Sequence, residues 1–158
     1  MTDYYAECLK KGLEYQDFVF TQLRCMEDMP VFLGAYSSKK YQYEKGESLS
    51  GLEIKYDTLL NVTGNLFIEY QEKTDPDKAE FVPSGIMRKD NSWLYLVGDY
   101  EQAFLFAKRT LQGYCQANKD KLEKKTSQKG TSWGYILPVK KVLNSYILAK
   151  HIVFTEGR

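Results

Sequence analysis

Residues 51–73, GLEIKYDTLLNVTGNLFIEYQEK, constrain the fold more than any other stretch of the chain. They hold two short runs in which apolar and polar residues alternate. Each run ends in acidic residues, and a Thr-Gly-Asn turn leads into the second. In a β-strand, side chains two apart share a face. In the first run Leu52, Ile54 and Tyr56 therefore point one way and Glu53, Lys55 and Asp57 the other. In the second, Leu66, Ile68 and Tyr70 oppose Phe67, Glu69, Gln71 and Lys73. Adjacent strands with their polar faces on one side bring Asp57 and Glu69 together, a suitable cage for a hard divalent cation. A solvated sheet face has the same alternation, so the pattern alone leaves both readings open.

A chain of 158 residues is long enough for one domain, residues 1–158, with a core that needs no disulfide or metal as a staple. Its aromatic content of 15%, with 13 tyrosines, suits a fold rich in sheet. Cys8, Cys25 and Cys115 are odd in number and lack CxxC spacing, which argues against a structural zinc site and points to reduced thiols. The polar, acidic start MTDYYAE is no signal peptide, and no apolar run approaches the roughly 18 residues of a membrane span. The expectation is a cytoplasmic protein without membrane contact. The net charge of +1 hides an asymmetry. Residues 1–102 carry 11 basic against 18 acidic side chains, a balance of −7; residues 103–158 carry 11 against 3, or +8. An acidic portion followed by a basic one suits a metal-dependent enzyme acting on a polyanion, or merely an uneven surface.

Helical spacing of Tyr5, Leu9, Leu13, Phe20 and Leu23 predicts a helix over 2–28, capped by Thr2 or Asp3 and ended by Met29-Pro30. A strand is expected at 31–36 and an edge strand or loop at 39–50, followed by the two strands above. A turn-rich loop covers 74–83. Residues 93–97 read as a buried strand with a hairpin partner at 102–106 across a Gly98-Asp99 turn. A basic helix is expected over 108–125, a loop over 126–132, a strand over 133–137 and a last helix over 139–149. Trp93 and Trp133 read as core, and His151, placed in the last helix, as a packing or surface residue. The element order predicts an α/β (α+β) fold, a central mixed β-sheet flanked by helices.

An acidic residue closing one strand, a short gap, then TGNLFIE-x-Q on the next resembles the PD-(D/E)xK nuclease superfamily, whose fold is restriction-endonuclease-like and which includes small phage and mobile-element proteins. The helix bearing Glu14, the Ser84-Gly85-Ile86 turn and the hairpin around Trp93-Leu94-Tyr95 follow the same order. The resemblance spans most of residues 10–145. It implies Asp57 as the first motif aspartate, Glu69 as the second acidic residue, and Glu14 as the helix glutamate that often joins the site. Gln71 stands where the family most often has lysine, and Tyr56 stands where the name-giving proline would be. Glu53-Ile54-Lys55 also spells E-x-K, with only Glu44 and Glu47 upstream as partners.

The resemblance implies a Mg²⁺- or Mn²⁺-dependent endonuclease that hydrolyses DNA phosphodiester bonds, with Asp57 and Glu69 as metal ligands and a backbone carbonyl near residue 70 as a further one. Gln71 can orient a water but supplies no positive charge and accepts no proton at neutral pH. Lys55, two residues before Asp57 on its face, is the better substitute, and Lys73 the other. Lys119, Lys121, Lys124, Lys125, Lys129, Lys140 and Lys141 form the expected DNA-binding surface, giving affinity and salt dependence without sequence choice. A chain this short implies a homodimer for sequence-specific cutting, or recognition of DNA structure. Two other functions stay open: a catalytically silent member of the fold that binds nucleic acid or protein, and a sheet-based interaction protein.

Overall fold

The computed structural model describes residues 3–24, 26, 51–73, 75, 77–127 and 129–154. The strand expected at 31–36 and the edge strand or loop at 39–50 lie outside the described residues. Helix α1 runs Asp3–Arg24, followed by β1 (Leu52–Tyr56), a single-turn helix α2 (Leu60–Thr63) and β2 (Asn65–Glu72). Then come β3 (Val82–Pro83), a 3₁₀ turn (Gly85–Met87), β4 (Leu94–Gly98), β5 (Gln102–Ala107) and α3 (Lys108–Ala117). The chain closes with β6 (Lys124–Thr126), β7 (Ser132–Pro138), α4 (Val139–Val142) and β8 (Leu148–Val153).

The fold is α+β, with two four-stranded sheets where the sequence suggested one. The first sheet has the order β1-β4-β5-β8 and is mixed, because β1 pairs parallel with β4 while the other pairs are antiparallel. The second, β3-β2-β7-β6, is antiparallel throughout.

The central strands of the first sheet, β4 and β5, are buried on both faces, as their near-continuous apolar runs require. On one side Leu52, Ile54, Leu94, Leu96, Ala103 and Leu105 pack against Tyr15, Val19, Phe20 and Leu23 of α1. On the other, Tyr95, Val97, Phe104 and Phe106 meet Leu66, Ile68, Tyr135 and Leu137 of the second sheet, with Leu111 and Cys115 of α3. The period-two reading of β1 and β2 holds: Leu52, Ile54 and Tyr56 face α1, and Leu66, Ile68 and Tyr70 face the inter-sheet core. Glu53, Lys55 and Asp57 are thereby turned towards the second sheet. Burial pushes the Cys115 thiol up to about 12, so this cysteine is a packing residue.

Three expectations are corrected. The basic helix stops at Ala117, and Lys124–Thr126 is an edge strand. The last helix is one turn, Val139–Val142, and residues 148–153 form β8, held by pairing with β5. His151 is thus on a strand, stacked on Phe104 at 4.7 Å with Nε2 3.0 Å from Gln102 Oε1, which is a packing role. Trp93 is 62% exposed at the entry to β4, because the buried run begins one residue later.

Candidate functional site

A cleft of about 360 Å³ opens between the two sheets where β1 ends and β2 begins. Lys55, Asp57 and Glu69 line one side, Thr58, Leu59 and Thr63 the corner, and Lys125, Thr126 and Ser127 the opposite rim. β1 and β2 are not ladder neighbours; they lie in different sheets, and the polar face of β1 meets β2 across the gap.

Asp57 ties these elements together. Its backbone N–H donates to Gly98 O at 2.8 Å, fixing the end of β1 against β4. Its Oδ1 accepts from Leu59 N at 3.1 Å, an Asx-type turn that starts the corner. Its Oδ2 accepts from Phe67 N at 2.9 Å on β2. Gly64, with φ +64°, ends α2 in the left-handed region and turns the chain into β2. Asp57 is 9% exposed. Burial pushes its carboxyl above the ordinary 3.8, an effect partly offset by the N–H groups of Phe67 and Leu59 and reinforced by the Asp99 carboxylate. Among the described residues no basic side chain forms an ion pair with Asp57.

Glu69 is held differently. Its Oε1 accepts from Ser84 Oγ at 2.9 Å and lies 3.4 Å from Lys55 Nζ. Ser84 is fully buried, and its N–H donates to Tyr70 O at 3.1 Å, so the carbonyl expected to assist a metal already has a partner. Gly85, with φ +49°, brings this turn so close to β2 that a Cβ would fall inside van der Waals contact of the Glu69 carbonyl. Gly85→Ala is expected to destabilise the protein by about 2–4 kcal/mol, combining the left-handed backbone with a clash against backbone that cannot yield. Urea unfolding checks it, and a midpoint equal to that of the unsubstituted protein contradicts the close approach.

Beneath the cleft runs a chain of charges that the sequence did not expose. Lys55 Nζ lies 3.3 Å from Glu53 Oε1. Glu53 is fully buried, and its Oε2 pairs with Lys108 Nζ at 3.1 Å. Lys108, the first residue of α3, also reaches Asp90 Oδ1 at 3.0 Å. For Asp90, burial raises the carboxyl but the Lys108 ammonium and Ser92 outweigh it, leaving it below the ordinary 3.8. The ionised form of Asp90 thus stabilises the fold above that value, and the contribution is lost as pH falls through and below it. Asp90→Asn is expected to cost about 1–3 kcal/mol near neutrality and to flatten the loss of thermal stability below about pH 4. Melting curves across that range check it; an unchanged acid slope contradicts it.

Of the other residues singled out by sequence, Gln71 does not line the cleft. The β2–β7 ladder slips between Glu69 and Gln71, so the two-residue period no longer keeps them on one face. Glu14 is exposed on α1, 3.8 Å from Lys10, and does not line the cleft either. Lys73 sits 5.3 Å over the Phe81 ring. Among the seven lysines of the expected DNA surface, only Lys125 borders the cleft. Lys121 and Lys141 share a second hollow of about 200 Å³, Lys124 lies 6.0 Å from the Tyr135 ring, and Lys119, Lys129 and Lys140 are exposed.

Glu53 was legible as one arm of E-x-K, and Lys108 only as the first residue of the expected basic helix. A charge inside a strand that must be buried on both faces demands a partner, and that was the available signal. Among the described residues no group of three or more His, Cys, Asp or Glu side chains is placed to hold a metal. Mg²⁺ does not require one, since it is held by one or two carboxylates and keeps several waters. Among the described residues Asp57 accepts only backbone N–H groups and Glu69 Oε2 has no hydrogen-bond donor, so both carboxylates retain lone pairs for such an ion. No described helix is long and apolar enough to cross a membrane. Comparisons of the chain with protein-family models, curated proteins and solved structures find no match.

Proposed function

We propose that this protein is a Mg²⁺-dependent nuclease acting on DNA, related to the PD-(D/E)xK superfamily, with its site in the cleft between the sheets. The convergence of Asp57, Glu69 and Lys55 on one cleft carries this reading. Phosphodiester hydrolysis needs an activated water and positive charge at the phosphate oxygens, and a bound Mg²⁺ supplies both. Asp57 and Glu69 would hold that ion. The burial of Asp57 without an ion pair supports this, because a cation would supply the charge that the described residues do not. Lys55 brings an ammonium to the same cleft and would take the role of the family lysine that Gln71 replaces, while Lys125 on the rim would meet a phosphate.

The test is incubation of plasmid, linear and branched DNA with Mg²⁺ or Mn²⁺, alongside an Asp57→Ala preparation and a chelator control. Metal-dependent cleavage lost in Asp57→Ala is the expected result. Equal activity in both preparations, or none in either, rejects the site.

A second reading, a catalytically silent module of the same fold, is favoured by one observation. Both Asp57 oxygens accept backbone N–H groups, as in a residue kept only to shape a turn. DNA retention without cleavage, insensitive to Mg²⁺, selects it.

A further inference from the structure

We infer that Glu53 is a positioning residue that holds Lys55 in the cleft, an assignment that rests on the nuclease reading for its catalytic consequence. Glu53 and Lys55 lie two residues apart on β1 and share its inter-sheet face. Glu53 is wholly out of water and does not line the cleft, so it is no ligand for an ion there. A buried carboxylate requires compensating charge. Lys108 provides only part of it, because its ammonium divides itself between Glu53 Oε2 at 3.1 Å and Asp90 Oδ1 at 3.0 Å. The other oxygen of Glu53, Oε1, accepts no hydrogen bond among the described residues and faces the Lys55 ammonium at 3.3 Å as an ion pair only, so the attraction that holds Lys55 there is Coulombic.

Lys55 lies between two carboxylates, Glu53 below and Glu69 at the cleft surface, 3.4 Å away. They are not equivalent. A cation held by Glu69 would compete for its charge and repel the ammonium. Glu53 cannot be reached from the cleft, so its attraction persists. A lysine has a long stem of freely rotating bonds, and an ammonium on such a stem stays at one point only if something fixed holds it. Glu53 is fixed by Lys108, Lys108 by Asp90, and Asp90 by the Ser92 N–H at 2.9 Å. The E-x-K pair thus works vertically, with the glutamate as the floor and the lysine as the group presented to substrate.

Two measurements test this, one free of DNA and metal. Lysine side-chain NMR order parameters should show the Lys55 terminus restricted in the unsubstituted protein and released in Glu53→Gln to the mobility of exposed Lys119. In cleavage assays Glu53→Gln should lower kcat by about tenfold or more while KM changes by less than about twofold. The same substitution should cost nothing further in a Lys55→Met background. If Glu53→Gln does not fold because Lys108 is stranded, the paired variant E53Q/K108M removes both buried charges and carries the same comparisons. A Lys55 that stays ordered without Glu53, or losses that multiply in the Lys55→Met background, overturns the inference. An unsubstituted protein that cleaves no DNA rejects the nuclease reading, while the NMR comparison still decides whether Glu53 anchors Lys55.

Discussion

Asp57→Ala is expected to reduce metal-dependent cleavage by about 10³-fold or more, equivalent to ~4 kcal/mol of barrier, with only a small change in stability. The first half follows from chemistry. Of the two acidic side chains on the cleft, Asp57 has no ion pair among the described residues, and losing it leaves Glu69, whose Oε1 already serves Ser84 and Lys55. The second half follows from two opposed effects. Truncation leaves the N–H groups of Leu59 and Phe67 without their acceptor, a cost of about 1–3 kcal/mol where water cannot replace it. Against this, the folded carboxyl of Asp57 titrates above its ordinary value. A group raised in this way favours the fold while protonated, and that advantage is lost as pH rises through the folded value. At neutral pH the ionised Asp57 therefore stabilises the fold less than its protonated form would, which limits what alanine loses. Nicking assays and thermal melts on the same preparations check both halves. A large fall in melting temperature parallel to the lost cleavage would recast Asp57 as a purely structural residue.

Lys55→Ala should lower cleavage by about 10²–10⁴-fold while leaving DNA affinity within a few-fold. Lys55 is the ammonium placed between Glu53 and Glu69, whereas Lys125 lies on the rim, where on the nuclease reading it would meet backbone phosphate only by charge. Lys125→Ala should behave in the opposite way, weakening binding and its salt dependence with little effect on kcat. Single-turnover cleavage with saturating protein, paired with binding isotherms at two salt concentrations, separates the two lysines. If Lys55→Ala loses affinity in proportion to rate, Lys55 is a phosphate contact and not part of the chemistry.

Much of this arrangement was legible in the sequence because it depends on short-range periodicity. The alternation in 52–57 and 66–70 placed Glu53, Lys55 and Asp57 on one face and Leu52, Ile54 and Tyr56 on the other, and the structure keeps that division. What failed depended on tertiary partners. Residues 118–126 carry lysines at helical spacing, yet β7 offers a free edge, and Lys124–Thr126 pairs with it. Residues 148–153 are equally short of a decisive pattern and are drawn into a strand by β5. Gln71 illustrates a third kind of failure. A motif written as E-x-Q assumes an unbroken two-residue period, and one slip in the β2–β7 ladder cancels it. Lys108 and Asp90 could not be paired with Glu53 from sequence, because the three are brought together only when α3 follows β5 across the sheet.

The two amide protons bound by Asp57 give the cleft a built-in spectroscopic reporter. The N–H of Leu59 and that of Phe67 each point at one carboxylate oxygen, and they belong to different parts of the fold. Any event that alters the charge on that carboxylate, whether a proton, a divalent ion or a phosphate drawn close, will move both resonances together in a ¹H–¹⁵N spectrum. Occupancy of the site can thus be followed by titrating ions alone, with no substrate present.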